Sequence, residues 1–213
     1  MNTIQSLSGF LSLFIKHSPE AFVFIGFIWV VHIVNSALKG MLNIFGIIPR
    51  QPFSLIFGPI ASPYLHGDSS HISYNSLPLF VMTTTLFAHG VPKALAIILA
   101  ISYLEGIMVW CFARTGNHIG ASGLIMGLFS YFLYTGYQAP SAESIIIALV
   151  LLYYFGTLLL SIFPEDTLTS YEGHLAGFIS GFIVAYFKYP ASLLIITRPL
   201  AKALSHTAYL IFG

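Results

Sequence analysis

Long runs of apolar residues with very few charges are the feature that most restricts how this chain can fold. Of its 213 residues, 57% are hydrophobic and 7% are charged, whereas a soluble domain carries about a quarter charged residues. A backbone that crosses a bilayer must satisfy its hydrogen bonds internally, which a helix of roughly 17 to 25 apolar residues does. The sequence therefore predicts an integral, all-α protein of the lipid bilayer.

Six segments are long and apolar enough, or nearly so, to serve as transmembrane helices. In chain order, the first to sixth spans are residues 21–38, 72–87, 94–112, 119–137, 145–163 and 174–187. We expect one membrane domain over residues 1–213, with an interfacial N-terminus at 1–20, a six-helix core at 21–187 and a cytoplasmic or interfacial tail at 188–213.

The connection between the first two spans, residues 39–70, is unusually long. It is too apolar for a solvated loop and too broken by glycine and proline to cross the bilayer. We expect it to be partly embedded in the outer membrane face.

An even number of spans places both termini on one side of the membrane. A slight excess of Lys and Arg favours the cytoplasm for that side, in a plasma (inner) membrane. The side of the termini carries Lys16, Lys93, Lys188, Arg198 and Lys202, and the other side carries Lys39, Arg50 and Arg114.

Charge and cysteine content exclude several classes of function. The net charge is +1 with no basic run, so the sequence does not indicate nucleic-acid binding. Cys111 is the single cysteine, and no His-Glu-x-x-His stretch exists, so we expect neither a metal nor another cofactor. The only aspartates, Asp68 and Asp166, lie in loops, which does not support an aspartyl protease.

Polar residues gather at the N-terminal ends of the second, fourth and sixth spans. These spans run in the same direction, so their first turns lie at one membrane face. The residues are His66, His71 and Asn75 for the second span, His118 and Ser122 for the fourth, and Glu172 and His174 for the sixth. Because polar side chains are costly in a membrane, this common depth indicates a water-filled cavity.

Glycine spacing predicts that the fourth and sixth spans pack closely. Gly123 and Gly127 form one small-residue stripe, and Gly173, Gly177 and Gly181 form another. Ser122 and His174 each lie one residue from a stripe, so close packing would bring hydroxyl and imidazole together.

Acyl transfer is the chemistry that suits these residues. Ser122 needs a base to become a nucleophile, and His174 is the available base. The side chains of Asn75 and His71, spaced i and i+4 on one helix face, and the backbone N–H of Ser122 could donate to an oxyanion.

In these residues the chain resembles the rhomboid intramembrane serine proteases. The similarity rests on Gly120-Ala-Ser-Gly123, on His71-x-x-x-Asn75, on Gly173-His174 with Ala176 and Gly177, and on His66. The resemblance implies a six-helix rhomboid-type bundle with a membrane-embedded first loop, a Ser122–His174 dyad, and an oxyanion hole of Asn75, His71 and the Ser122 amide. It further implies that the fifth span is a lateral gate and that the substrates are single-pass transmembrane proteins.

Two positions depart from the family pattern. Many members carry an aromatic ring four residues after the nucleophile, where this chain has Met126, a more flexible side chain that can still pack on an imidazole. The first loop also lacks the Trp-Arg pair of many members.

Structural alternatives exist for each site residue. Ser122 could be a packing residue, His174 could pair with Glu172, and His71 and Asn75 could simply join helices. His66, His118 and Met126 could line the cavity, although an interfacial histidine without a role is as reasonable. We expect Glu105, in the third span, to be protonated or hydrogen-bonded, with His32 or Asn35 as partners, and to have no catalytic role.

Two other functions compete with proteolysis. The first is a non-catalytic rhomboid-like protein that binds membrane clients. The second is a small transporter or channel, which is disfavoured because the inner halves of the second, fourth and sixth spans are almost wholly apolar apart from hydroxyls such as Thr83 to Thr85.

Overall fold

The computed structural model describes residues 7–138, 170–187 and 193–212, together with 149, 152, 153 and 156. Within these ranges the chain is helical, which confirms the all-α class, and the described part contains no strand beyond an isolated antiparallel bridge between Ile47 and His118. The helices are α1 (Leu7–Ala37), α2 (Pro52–Ala61), α3 (Ser69–Phe87), α4 (Val91–Phe112), α5 (Ser122–Gln138), α6 (Tyr171–Phe187) and α7 (Leu193–Phe212).

Four of the helices correspond to predicted spans: α3, α4, α5 and α6 match the second, third, fourth and sixth. Among the described residues, two helical stretches, Ser8–Ala37 and Val91–Phe112, are long and apolar enough to cross a bilayer by length and composition. The fifth span, at 145–163, lies outside the described residues apart from isolated positions. The six-span count therefore stays a prediction.

Helix α1 is longer than the first span predicted from the sequence. It runs through Pro19 for 31 residues, so no break separates an interfacial segment from a span. At 1.5 Å per residue it is roughly 45 Å long, against about 30 Å for the hydrocarbon core. Its first turns therefore extend beyond the apolar layer or the helix tilts, and the interfacial position of residues 1–20 stays a prediction.

Helices α5 and α6 make the most extensive contact in the described part of the molecule. A Cβ atom on Gly177 would collide with the carbonyl oxygen of Gly123, and one on Gly181 with that of Gly127. The two backbones thus touch through glycine, as the small-residue stripes predicted.

The apolar core lies between α1, α3, α4 and α5. Its largest buried side chains include Leu79, Phe87, Ile98, Leu124 and Phe129. Helix α7 packs on α1 and α4 and buries Thr197, Ala201 and Ala208. The C-terminal segment is therefore a packed helix over residues 193–212, and its cytoplasmic or interfacial location stays a prediction.

The first loop is tied to the end of α4. Arg50 donates from Nη1 to the Ala113 carbonyl at 3.0 Å, and Trp110 donates from Nε1 to the Gln51 carbonyl at 2.8 Å. The outer face of α2 is apolar and exposed, at Phe53, Ile56, Phe57 and Ile60. An apolar exposed face on a fixed loop suits the expected position in the membrane surface.

Candidate active site

Ser122 begins helix α5 directly after a tight turn. Gly120 has φ +120°, a backbone conformation that favours glycine, and its N–H donates to the Ser62 carbonyl at 2.9 Å. Ala121 is fully buried, and its carbonyl accepts from the Ile125 N–H at 2.9 Å. The Ser122 N–H lies in the first helical turn, where the helix itself offers it no acceptor.

His71 lies over this turn. A Cβ atom on Gly120 would come within 2.6 Å of the His71 ring, so glycine at 120 makes room for the imidazole. Asp68 caps α3 by accepting the His71 backbone N–H at 2.8 Å. Hydrogen bonds from the Ser70 hydroxyl and that N–H lower the pKa of Asp68, so the carboxylate that fixes the start of α3 is ionised.

His66 joins Asn75 to the turn before Ser122. Its Nε2 lies 3.1 Å from Nδ2 of Asn75 and accepts from the Ala121 N–H at 3.4 Å. Because both partners are N–H donors, Nε2 is the unprotonated nitrogen. Burial, and next the neighbouring His71 and His32, lower the pKa of His66 to about 3, so the ring stays neutral and serves as an acceptor.

The sequence left His66 between cavity lining and no role, whereas the structure places it in the network behind the turn. It also lines a small cleft, and so does Asn75. The other residues of that cleft are Ile25, Ile28, Ile72, Ser76, Leu79 and Ala121.

His174 is buried in the first turn of α6, and its backbone N–H donates to the Ser170 carbonyl at 3.2 Å. A Cβ atom on Gly123 would lie 3.0 Å from the Gly173 carbonyl oxygen. The residues next to Ser122 and His174 are thus in contact, which places the two turns side by side. Glu172, the alternative partner proposed for His174, forms an ion pair with Arg114 at 3.3 Å.

Ser122 lines a second, narrow cleft. Side chains from the first loop, α4, the loop before α5 and the start of α6 surround it. Its lining residues are Ile47, Ser62, Glu105, Val109, His118, Ile119, Gly120, Ser122, Gly123, Ser170 and Gly173. The opening beside Ser122 is therefore shared by four parts of the chain.

Glu105 reaches this cleft from α4. The prediction that His32 or Asn35 is its partner is wrong. His32 Nε2 lies 3.3 Å from the Ser69 hydroxyl, and Asn35 bonds Asn43 at 2.8 Å. Glu105 instead contacts Gly123 through Oε1, and its Oε2 has no hydrogen-bond partner among the described residues. One feature of the sequence indicates that Glu105 lies near the depth of Ser122: it is two helical turns from the predicted outer end of the third span.

His118 and Met126 occupy different environments. His118 is half-buried and lines the cleft beside Ser122. Met126 is 1% exposed, one turn into α5, and lines neither cleft.

Among the described residues no three His, Cys, Asp or Glu side chains are grouped as metal ligands.

Comparison with known proteins shows that most of the chain matches one protein family. Residues 49–191 match the Rhomboid domain family. Uncharacterized proteins of Mycobacterium bovis and Mycobacterium tuberculosis are each 30% identical over 172 residues, which cover 76% of this chain and 71% of theirs. An uncharacterized protein of Mycobacterium leprae is 27% identical over 171 residues, 76% of this chain and 68% of its own. The Rhomboid match includes every candidate site residue described above.

Proposed function

This chain belongs to the rhomboid family of membrane proteins, and we propose that it is an intramembrane serine endopeptidase. It would hydrolyse peptide bonds of single-pass transmembrane proteins near the outer membrane face, through Ser122, His174 and an acyl-enzyme. The support comes from one observation, the convergence of two other segments, the start of α3 and the start of α6, on the turn at Ser122. His71 covers Gly120, His66 binds Ala121, and Gly173 touches Gly123.

In the proposed reaction, Ser122 Oγ attacks the substrate carbonyl and gives its proton to His174. The oxyanion accepts hydrogen bonds from the Ser122 N–H, the Asn75 amide and the His71 ring. His174 then returns the proton to the leaving amine, and water hydrolyses the acyl-enzyme with His174 again as the base. Asn75 has two amide hydrogens, so its bond to His66 leaves one for the oxyanion.

The setting of the site agrees with a membrane substrate. The cleft beside Ser122 opens between the first loop, α4, the loop before α5 and the starts of α5 and α6, and the first loop carries the exposed apolar face of α2. A substrate segment that unwinds near the outer face could reach Ser122 there. The proposed gate, the fifth span, and the cytoplasmic location of the termini are parts of this proposal.

A transport path receives less support. The hydroxyls of Thr83, Thr84 and Thr85 are buried, and each donates to a carbonyl one turn back in α3. Ser130 likewise donates to Gly127. Because these residues are buried as well as bonded to their own helices, they do not favour an open path.

The direct test treats detergent-purified protein with a fluorophosphonate probe and with a single-pass model substrate. We expect labelling and cleavage by the wild type and neither by Ser122→Ala. Labelling that persists in Ser122→Ala would remove the serine from the mechanism. A wild type that is not labelled and does not cleave, but retains the substrate on co-purification, would favour the client-binding alternative. Met126, in place of the aromatic residue of many members, is the feature of the sequence that fits this alternative.

A further inference from the structure

Two polar links join the loop before Ser122 to the first turn of α6, which carries His174. One link connects His118 to Ser170, and the other connects Arg114 to Glu172. Both connect residues 114–118 to residues 170–172. They therefore act between the two elements whose relative position sets the distance from Ser122 to His174.

The His118 link ends on the cap of α6. His118 Nδ1 lies 2.6 Å from the Ser170 hydroxyl, and its Nε2 lies 3.0 Å from the Arg114 carbonyl. A carbonyl only accepts, so Nε2 carries a proton and Nδ1 of the neutral ring accepts from Ser170. The Ser170 hydroxyl in turn accepts the Gly173 N–H at 3.2 Å, and it shares this donor with the Ser170 carbonyl at 3.0 Å.

His118 is held on a rigid support. Its N–H donates to the Ile47 carbonyl at 2.8 Å, and its carbonyl accepts from the Ile47 N–H at 3.0 Å. Ile47 is itself 1% exposed. The imidazole therefore projects toward Ser170 from backbone that is fixed on both sides.

The second link strengthens the same junction. Glu172 Oε1 lies 3.3 Å from Nε of Arg114 and accepts the Arg114 backbone N–H at 3.3 Å. The Arg114 guanidinium also lies over the Tyr171 ring, 5.4 Å from its centre. The Glu172 side chain is mostly buried, whereas the Arg114 side chain is 39% exposed, so solvent partly screens this pair.

The contact between α5 and α6 explains why such links are needed. Interlocking side chains resist sliding of one helix along another. At the end of the α5–α6 contact nearest the site, the surfaces are glycine backbone at Gly123, Gly127, Gly177 and Gly181, whereas ring contacts such as Phe129–Phe178 and Tyr134–Phe182 lie farther along the two helices. Polar links at the site end can therefore fix the first turn of α6 where the helix contact itself supplies glycine backbone and few side chains.

We infer that His118 and Ser170 are positioning residues that hold the first turn of α6, and so His174, at working distance from Ser122. The inference rests on the proposed protease function. An error of about 1 Å in such a distance can cost about 100-fold in rate. His118→Ala and Ser170→Ala should therefore lower kcat and the fluorophosphonate labelling rate at least tenfold, as an order of magnitude, with KM nearly unchanged.

Conservative variants separate positioning from a general loss of structure. In His118→Asn the amide overlays Nδ1 and can still bond Ser170, so we expect recovery of most of the wild-type rate. In His118→Gln the amide overlays Nε2 and retains only the Arg114 carbonyl, so the rate should stay low. Ser180→Ala removes a buried hydroxyl that bonds within α6, and as the matched control it should keep wild-type kcat.

The experiment measures labelling rate, kcat and KM for wild type, the three His118 variants, Ser170→Ala, Ser180→Ala and the double variant His118→Ala/Ser170→Ala. Support requires a double variant no slower than the worse single variant, since both remove one link. Wild-type rates in both single alanine variants, or slowing by His118→Asn equal to that by His118→Ala, would overturn the positioning role and leave the protease intact. An inactive wild type would instead overturn the proposed function, and this inference with it.

Discussion

The neutral state of His66 makes the site sensitive to acid. Its pKa lies at about 3 in the folded chain, against an ordinary 6.5. An unfolded chain therefore takes up this proton first as the pH falls, so the stability that the neutral ring contributes is complete above about pH 6.5 and is lost progressively toward pH 3. At pH 5 the loss is about 2 kcal/mol from this residue.

His66→Gln tests that dependence at a single residue. The glutamine oxygen can accept the same hydrogen bonds but does not titrate, so the thermal midpoint in detergent should fall less between pH 7 and pH 5 than in wild type. His206→Gln, which removes an exposed histidine of α7, should keep the wild-type slope. Equal slopes in all three proteins would show that His66 is not the titrating group.

Asn75→Ala tests the oxyanion hole. A donor that acts in the transition state should affect turnover more than substrate binding, and loss of one such donor costs about 10²- to 10³-fold in kcat. We expect that loss with KM changed by less than about threefold. Steady-state cleavage of the model substrate measures both constants, and an unchanged kcat would remove Asn75 from the mechanism.

At the scale of elements, the glycine contact between α5 and α6 should be sensitive to any added side-chain volume. In Gly177→Ala the new methyl would meet the Gly123 carbonyl, so α6 must move away from α5, and overpacking of this kind costs about 1 to 3 kcal/mol. We expect a lower thermal midpoint and slower labelling of Ser122.

Gly26→Ala is the matched control, because a Cβ atom there meets nothing within 4 Å. This change within α1 should be neutral or slightly stabilising, since alanine favours helix more than glycine does. Similar losses in both variants would mean that helix propensity, and not the α5–α6 contact, controls the result.

At the scale of the whole molecule, periodic features were predictable from the sequence and contacts between loops were not. The close approach of α5 and α6 followed from glycines spaced by four residues. The contact of Glu105 with Gly123 was not predictable, because the length of a span defines the depth of a residue in the membrane but not the direction in which its side chain points around the helix axis. The bond from His118 to Ser170 joins two irregular segments far apart in sequence, where no period exists to detect.

The predicted membrane orientation belongs to this scale, and Cys111 offers a natural probe of it. This cysteine is exposed near the end of α4 that faces the site. If the site opens outward, a membrane-impermeant maleimide added to intact cells should label wild type but not Cys111→Ser. In Cys111→Ser/His89→Cys the thiol lies in the short turn that joins α3 to α4, at the ends of these helices far from the site. This thiol should be labelled only after the cells are permeabilised. The reverse pattern would place the site on the cytoplasmic face, and the substrates would then have to be sought among proteins cut on that side.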